Sequence, residues 1–227
     1  MNTQAWLNTT WLSANADLIA DLAWRHLQIA LPVLLAVGLL AIPIGYLAHK
    51  AGLNSRWKPA RTGIIMASGI LYGIPSLALF VVLPVILGTS ILSPLNVIIA
   101  LILYGLALQV RVVAEAFDGI DAAPNLAAQA VGYAPAQLFW SVQLPMAAPA
   151  IITGMRVVTA STISLISVGA LIGVSSLGDL ITSGFQRSFP TQILAGIVGI
   201  VVLAAVLDAL WILLARLLLP WKRVANV

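Results

Sequence analysis

Five stretches of nearly unbroken apolar residues, about 26–49, 62–87, 95–113, 148–174 and 193–219, alternate with short polar segments that hold most of the charge. A helix rising about 1.5 Å per residue crosses the roughly 30 Å hydrocarbon layer of a bilayer in about 20 residues, so each stretch predicts one membrane span. The predicted fold class is therefore an all-α integral membrane protein with about five transmembrane helices. Residues 1–25 depart from the pattern, with Asp17, Asp21, Trp6, Trp11 and Trp24. They lack the basic start and apolar core of a cleavable signal peptide, and read as a segment lying along the outer membrane surface. Within the spans, Pro32 and Pro43 are tolerable where neighbouring helices satisfy the freed carbonyls. The second stretch is interrupted by Gly73, Pro75 and Pro84, which predicts a kink or a broken helix near Ile74-Pro75-Ser76. Such a break reads either as the lining of a substrate pathway or as packing against a neighbour.

One island between the third and fourth spans is small and polar rather than apolar: Asp121 to Pro145, DAAPNLAAQAVGYAPAQLFWSVQLP. It reads as two short helices joined by a tight turn. Asp121 suits the N-cap of the first, Pro124 is acceptable in a first turn, and Gly132 suits the left-handed residue that ends it. The second helix is expected to start near Pro135 and to end before Leu144-Pro145.

Composition removes the soluble alternative. With 227 residues, 61% hydrophobic and 8% charged, the chain has more apolar surface than a soluble domain of its size can bury. There is no cysteine, hence no disulfide framework and no thiolate metal site. A net charge of +4 would suggest nucleic acid if the basic residues formed a stripe, but they lie at the ends of apolar segments. Cytoplasmic loops carry the excess of Lys and Arg. Placing the amino terminus outside and the carboxyl terminus inside puts nine of the 11 basic residues in the cytoplasm: Lys50, Arg56, Lys58, Arg61, Arg111, Arg156, Arg216, Lys222 and Arg223. Only Arg25 and Arg187 are left outside. The island 121–145 is then cytoplasmic. The chain divides into an extracytoplasmic or interfacial segment 1–25, a transmembrane domain 26–220 and a cytoplasmic tail 221–227, with Trp221-Lys222-Arg223 as an interfacial anchor.

Candidate chemistry is sparse. No glycine-rich phosphate loop followed by Lys-Ser or Lys-Thr is present, so energy must come from another subunit. No cluster of nucleophile, base and carboxylate converges within the spans, and the chain does not read as an enzyme. His26 and His49 flank the first span and read as interfacial residues rather than metal ligands. The fourth span carries Thr159, Ser161, Thr162, Ser164 and Ser167, which read either as interhelical hydrogen-bonding groups or as substrate contacts. Asp208 is the one acidic residue well inside a span; it reads as a functional group, a helix contact or an interfacial residue. An ion-coupled secondary transporter would have to rely on it.

The island carries a family resemblance. Ala127-Ala128, three residues, Gly132, nine residues, Val142, one residue and Leu144-Pro145 resemble the cytoplasmic coupling loop of permease subunits of ATP-binding cassette (ABC) importers, whose pattern is EAA, x3, G, x9, I, x, LP. The family's glutamate falls on Leu126, and Glu115-Ala116-Phe117 is out of register with it. Ile74-Pro75-Ser76-Leu77-Ala78-Leu79, Val110-Arg111, Leu177-Gly178-Asp179-Leu180-Ile181 and Ile193-Leu194-Ala195-Gly196 narrow the resemblance to osmoprotectant permeases for glycine betaine, carnitine, choline or proline betaine. The motif around Gly178 is shared with methionine-type importers, which leaves an amino acid as the alternative cargo. The resemblance implies a type I importer permease in a bacterial or archaeal plasma membrane. It implies two cytoplasmic ATPase subunits that hold the ATP and Mg, a second permease copy or paralogue, and an external substrate-binding protein; the chain itself holds no cofactor. Leu126, Ala127, Ala128, Gly132, Val142, Leu144 and Pro145 would meet the ATPase. Tyr72, Phe80 and Tyr104 are the aromatic residues available to a cationic cargo, and Pro75, Ser76, Ser164 and Ser167 are the other candidates along the pathway.

Overall fold

The computed structural model describes residues 7–220; Trp6 and the expected tail and anchor at 221–227 lie outside the described residues. The described elements are helical throughout: α1 (Thr9–Ala14), α2 (Ala16–Leu53), α3 (Lys58–Gly73), α4 (Ser76–Leu87), α5 (Pro94–Asp118), α6 (Ala122–Ala130), α7 (Pro135–Leu138), a π-helical turn (Phe139–Gln143), α8 (Leu144–Gly169), a 3-10 turn (Ala170–Ile172), α9 (Gly178–Gln186) and α10 (Pro190–Leu218). Four runs, Ala16–Leu53, Pro94–Asp118, Pro135–Ile172 and Pro190–Leu218, are long and apolar enough to cross a membrane, and α3 with α4 makes a fifth if the pair is one broken span.

The break falls where the proline predicts it. α3 stops at Gly73, and Pro75 caps α4 with φ −59° and ψ 129°, its carbonyl accepting from Leu79 N at 3.2 Å. A proline disfavours the helical conformation in the residue before it, so Ile74 cannot carry α3 onward.

Two boundaries differ from the sequence expectation. α2 does not begin near His26 but at Ala16, through the polar residues expected at the surface. Asp17 lies in its first turn, where a carboxylate complements the helix dipole, and Asp21 and Arg25 pair one turn apart at 2.8 Å. These charges therefore support the helix instead of ending it. The second island helix likewise does not end before Leu144-Pro145. It runs through the π-helical turn directly into α8. Leu144 N bonds Phe139 O, five residues back, and this wider turn carries the helix past Pro145, which has no N–H to give.

The chain forms two compact units. The first comprises the residues up to Leu35 with Ile74–Leu103 and Thr159–Asp208. Its core gathers Leu22, Leu177 and Leu180, with Trp11, Ile19, Ala195 and Leu203 packed around them. The two downstream sequence motifs meet here. A methyl group on Gly196 would lie 2.8 Å from Ile181 Cγ1 and 3.1 Å from Leu180 Cβ, so the glycine lets α10 approach α9 closely. Asn96 ties the turn before α5, donating to Ser90 O at 2.8 Å and accepting from Thr89 Oγ1 at 2.5 Å. His26 is fully buried, its Nε2 3.0 Å from Ile163 O, which corrects the interfacial reading.

The second unit comprises Ala36–Gly73, Tyr104–Val158 and the residues from Ala209. Gly38, Gly45 and Gly52 recur every seven residues on α2 and face Met155, Val113 and Arg61 in turn. A Cβ on Gly45 would lie 2.5 Å from Val113 Cβ and 2.8 Å from Val110 O, and one on Gly52 would collide with the Arg61 guanidinium. At Gly45 the α2–α5 seam is thus set by the absence of a side chain, as in many helix pairs in membranes. Gln109, buried at 1% exposure, donates to Ile151 O at 2.8 Å and joins α5 to α8.

Candidate coupling and pathway sites

The island 121–145 folds into two helices and a turn, as its sequence predicts. Asp121 occupies the N-cap of α6 but its side chain makes no capping bond. The C-terminus closes in a Schellman arrangement: Tyr133 N bonds Ala128 O at 3.1 Å and Gly132 N bonds Gln129 O at 3.0 Å. Gly132 has φ 88°, the left-handed conformation that a side chain resists.

The candidate residues divide between two faces. Leu126, Ala127 and Gly132 are exposed, Leu126 at 63%, and so are two large apolar residues that the pattern does not include among its fixed positions, Val131 at 76% and Trp140 at 67%. Ala128 is buried, and Val142, Leu144 and Pro145 are half-buried. The inner face also holds a network that sequence reasoning missed. Gln143, at a variable position of the pattern, is buried; its Oε1 accepts from Tyr46 Oη at 3.1 Å and its Nε2 donates to Asn125 Oδ1 at 3.3 Å. The Tyr46 ring lies 4.6 Å from Phe139 and 4.9 Å from Phe117, and Lys50 Nζ stands 5.4 Å above it.

Three residues before Asp121, the Asp118 carboxylate is held from two other helices. His49 Nδ1 approaches Oδ1 at 2.6 Å and Arg61 Nη2 donates to Oδ2 at 2.5 Å. His49, expected at the interface, is in fact buried at 8% and partnered. The one trace of this cluster in the sequence is a Tyr and a His three apart at the end of a span, next to a basic loop.

The pathway candidates are scattered. Tyr72, half exposed, and Tyr104, buried at 4%, meet edge to face with centroids 6.2 Å apart in the second unit. Phe80 is fully buried in the first unit, so its ring is packing and not a cation-facing surface. Pro75, Ser76, Ser164 and Ser167 also belong to the first unit. Ser164 is exposed, whereas the Ser167 hydroxyl is buried with no hydrogen-bond partner. Asp208 is half-buried in α10 and has an interaction partner.

This architecture is that of a multi-pass helical membrane protein with a two-helix segment inserted between spans. Residues 41–224 match the family model described as "binding-protein-dependent transport system inner membrane component", and the chain belongs to that family, the permease subunits of ABC importers. It is 33% identical over 205 residues to the osmoprotectant import permease protein OsmW of Salmonella typhimurium, covering 88% of this chain and 90% of that one. It is 29% identical over 215 residues to the glycine betaine/carnitine/choline transport system permease protein OpuCD of Bacillus subtilis, covering 94% and 90%. Among solved structures, the MetNI methionine ABC transporter in inward-facing conformations superposes with a TM-score of 0.76 over 96% of this chain and 99% of that one, at 21% identity, which shows a shared fold. As a permease subunit the chain is non-catalytic, and ATP hydrolysis resides in a separate subunit.

Proposed function

We propose that the chain carries an osmoprotectant of the quaternary ammonium class, such as glycine betaine, carnitine or choline, into the cell as the membrane subunit of an ATP-driven importer. The similarity to OsmW and OpuCD over nearly the full length supports the cargo class. The mechanism rests on one observation: α6 and its turn expose Leu126, Val131 and Ala127 to solvent, with Trp140 exposed beyond α7, while a polar and aromatic network anchors the other face. Large apolar groups left exposed on a segment between spans, here Leu126 and Val131, support an interaction site. Two ATPase subunits dock there, one on each of two permease copies, and their closure on ATP tilts the spans around a shared cavity. An external binding protein delivers the cargo, so the permease itself needs only a weak site, for which Tyr72 and Tyr104 supply an aromatic pair.

The orientation follows the charge. The second unit holds Lys50, Arg56, Lys58, Arg61, Arg111, Arg156 and Arg216, against Arg25 and Arg187 in the first. The coupling segment and the basic residues around it are therefore read as cytoplasmic, with the amino terminus outside and the carboxyl terminus inside.

The test is reconstitution of the permease, its ATPase and the binding protein in proteoliposomes, with radiolabelled glycine betaine, choline and methionine offered in turn. ATP-dependent uptake of the quaternary ammonium compounds supports the reading. Uptake of methionine alone would reassign the cargo, and ATP-independent uptake by the purified permease would overturn the importer itself.

A further inference from the structure

A segment that receives a push must pass it on, and the helix leaving the coupling segment has a weak point. The π-helical turn Phe139–Gln143 is followed by Pro145, which donates no backbone bond, so the backbone ladder is interrupted where α7 joins α8. Hydrogen bonding there is less regular than in an α-helix, and such turns are frequent at functional sites. Left to itself, that turn would absorb a displacement of α6 and α7 before it reached any span.

One side-chain knot spans the weak point and a second holds the end of α5, where the chain enters the segment. Gln143 lies on the π turn itself. Its buried amide is bonded at both ends, accepting from Tyr46 on α2 at 3.1 Å and donating to Asn125 on α6 at 3.3 Å. Separating those partners would strand a buried amide, a costly outcome where water cannot replace the lost bond. Asp118, at the entry to the segment, has both carboxylate oxygens engaged, one by His49 on α2 and the other by Arg61 on α3. Tyr46 and His49 are one helical turn apart, so both knots end on one face of α2. Phe117 and Phe139 fill the space between them, with ring centroids 5.9 Å apart. Gly52 leaves room for the Arg61 side chain to cross α2.

We propose that Gln143 and Asp118 are positioning residues that join the coupling segment to the end of α2, so that the two move as one body and the π turn does not act as a hinge. This rests on the docking described under Proposed function. It assigns the transmission of the ATPase stroke to a route through α2, in addition to the covalent route through α8.

The experiment uses the assembled permease–ATPase complex in liposomes, with spin labels at Gln129 on α6 and Leu47 on α2, both exposed. The distance distribution is measured by pulsed electron resonance without nucleotide and after trapping with ATP and vanadate. In the wild type the distribution stays the same in both states. In Gln143→Leu and in Asp118→Asn it shifts or broadens on trapping, while ATP is still hydrolysed. Tyr46→Phe, which removes one hydroxyl and keeps the ring, gives the same change in smaller degree and reports on the Gln143 knot if the Leu variant does not assemble. A merely structural role would lower the yield of complex without making the distance depend on nucleotide. The proposal is overturned if the wild-type distance itself shifts on trapping, or if the variants that assemble keep the wild-type behaviour. If the wild-type chain binds no ATPase at all, the docking itself fails, a separate result.

Discussion

Leu126 and Gly132 carry opposite kinds of information about the coupling segment. Leu126 stands where the resembled family has a glutamate, and a carboxylate there would make a charge-assisted contact about twice as strong as a neutral hydrogen bond. Leucine cannot, so in the docking proposed above the exposed Leu126 side chain would act through apolar packing. Leu126→Asp places an unpaired charge in that contact and is expected to abolish co-purification of the ATPase; Leu126→Met is expected to retain it. Gly132 acts through its backbone alone. A Cβ there would meet nothing within 4 Å, so any cost of substitution comes from φ 88°. Gly132→Ala should lose about 1–2 kcal/mol, Gly132→Asn less, and Gly132→Val more, because branching at Cβ is poorly tolerated at positive φ. Thermal unfolding of the three variants gives the order, and equal loss for Asn and Val would remove the backbone explanation. Gly132 was legible in the sequence because a glycine after a short helical run is a ready left-handed stop. Gln143 was not, since a variable position in a pattern says nothing about a side chain whose partners lie 97 and 18 residues away.

Among the elements, prolines announced themselves and glycine faces did not. The break between α3 and α4 follows from Pro75 and its restriction on Ile74, a local effect that a single sequence displays. Pro75→Ala removes that restriction. If the break shapes the pathway, the variant assembles with its ATPase at wild-type yield but transports more slowly; unchanged uptake would assign Pro75 to packing. The continuation of the helix at Pro135 into the span expected at 148–174 is not legible, because a Leu-Pro pair is a good stop signal for an α-helix and a π turn that carries the chain past it leaves no mark in composition. The seven-residue spacing of Gly38, Gly45 and Gly52 carries little signal on its own, because glycine is common in membrane helices and its meaning depends on what lies opposite. In the structure Val113 and the Val110 carbonyl lie opposite Gly45, closer than a Cβ allows. Gly45→Leu should therefore force α2 from α5 and destabilise the permease by more than the 1–3 kcal/mol typical of an overpacked core, whereas Gly63→Leu, with nothing within 4 Å, should be nearly silent. Equal melting temperatures for the two variants in detergent would count against the seam.

For the whole molecule the governing question is which way it faces, because only a cytoplasmic coupling segment can meet an ATPase. The apolar stretches announce a membrane protein, but hydropathy is blind to direction, and the fold alone contains no bilayer. The basic residues are the ground for the direction proposed above. Retention of Lys and Arg on the cytoplasmic side follows how a chain inserts, and the proposed orientation keeps seven of the nine described basic residues there. The prediction uses single cysteines in a chain that has none of its own, so no background thiol competes. Ser55, in the exposed loop between α2 and α3, and Gln137, exposed on α7, should react with a membrane-impermeant maleimide only in inside-out vesicles. Gln186, exposed at the end of α9, should react only in right-side-out cells; Ser183 is a poorer reporter, being half-buried with its hydroxyl bonded to Asp179 O. Labelling of Gln137 in right-side-out cells would put the coupling segment outside, where no ATPase could reach it, and the orientation, the docking face and the route through α2 would fall together.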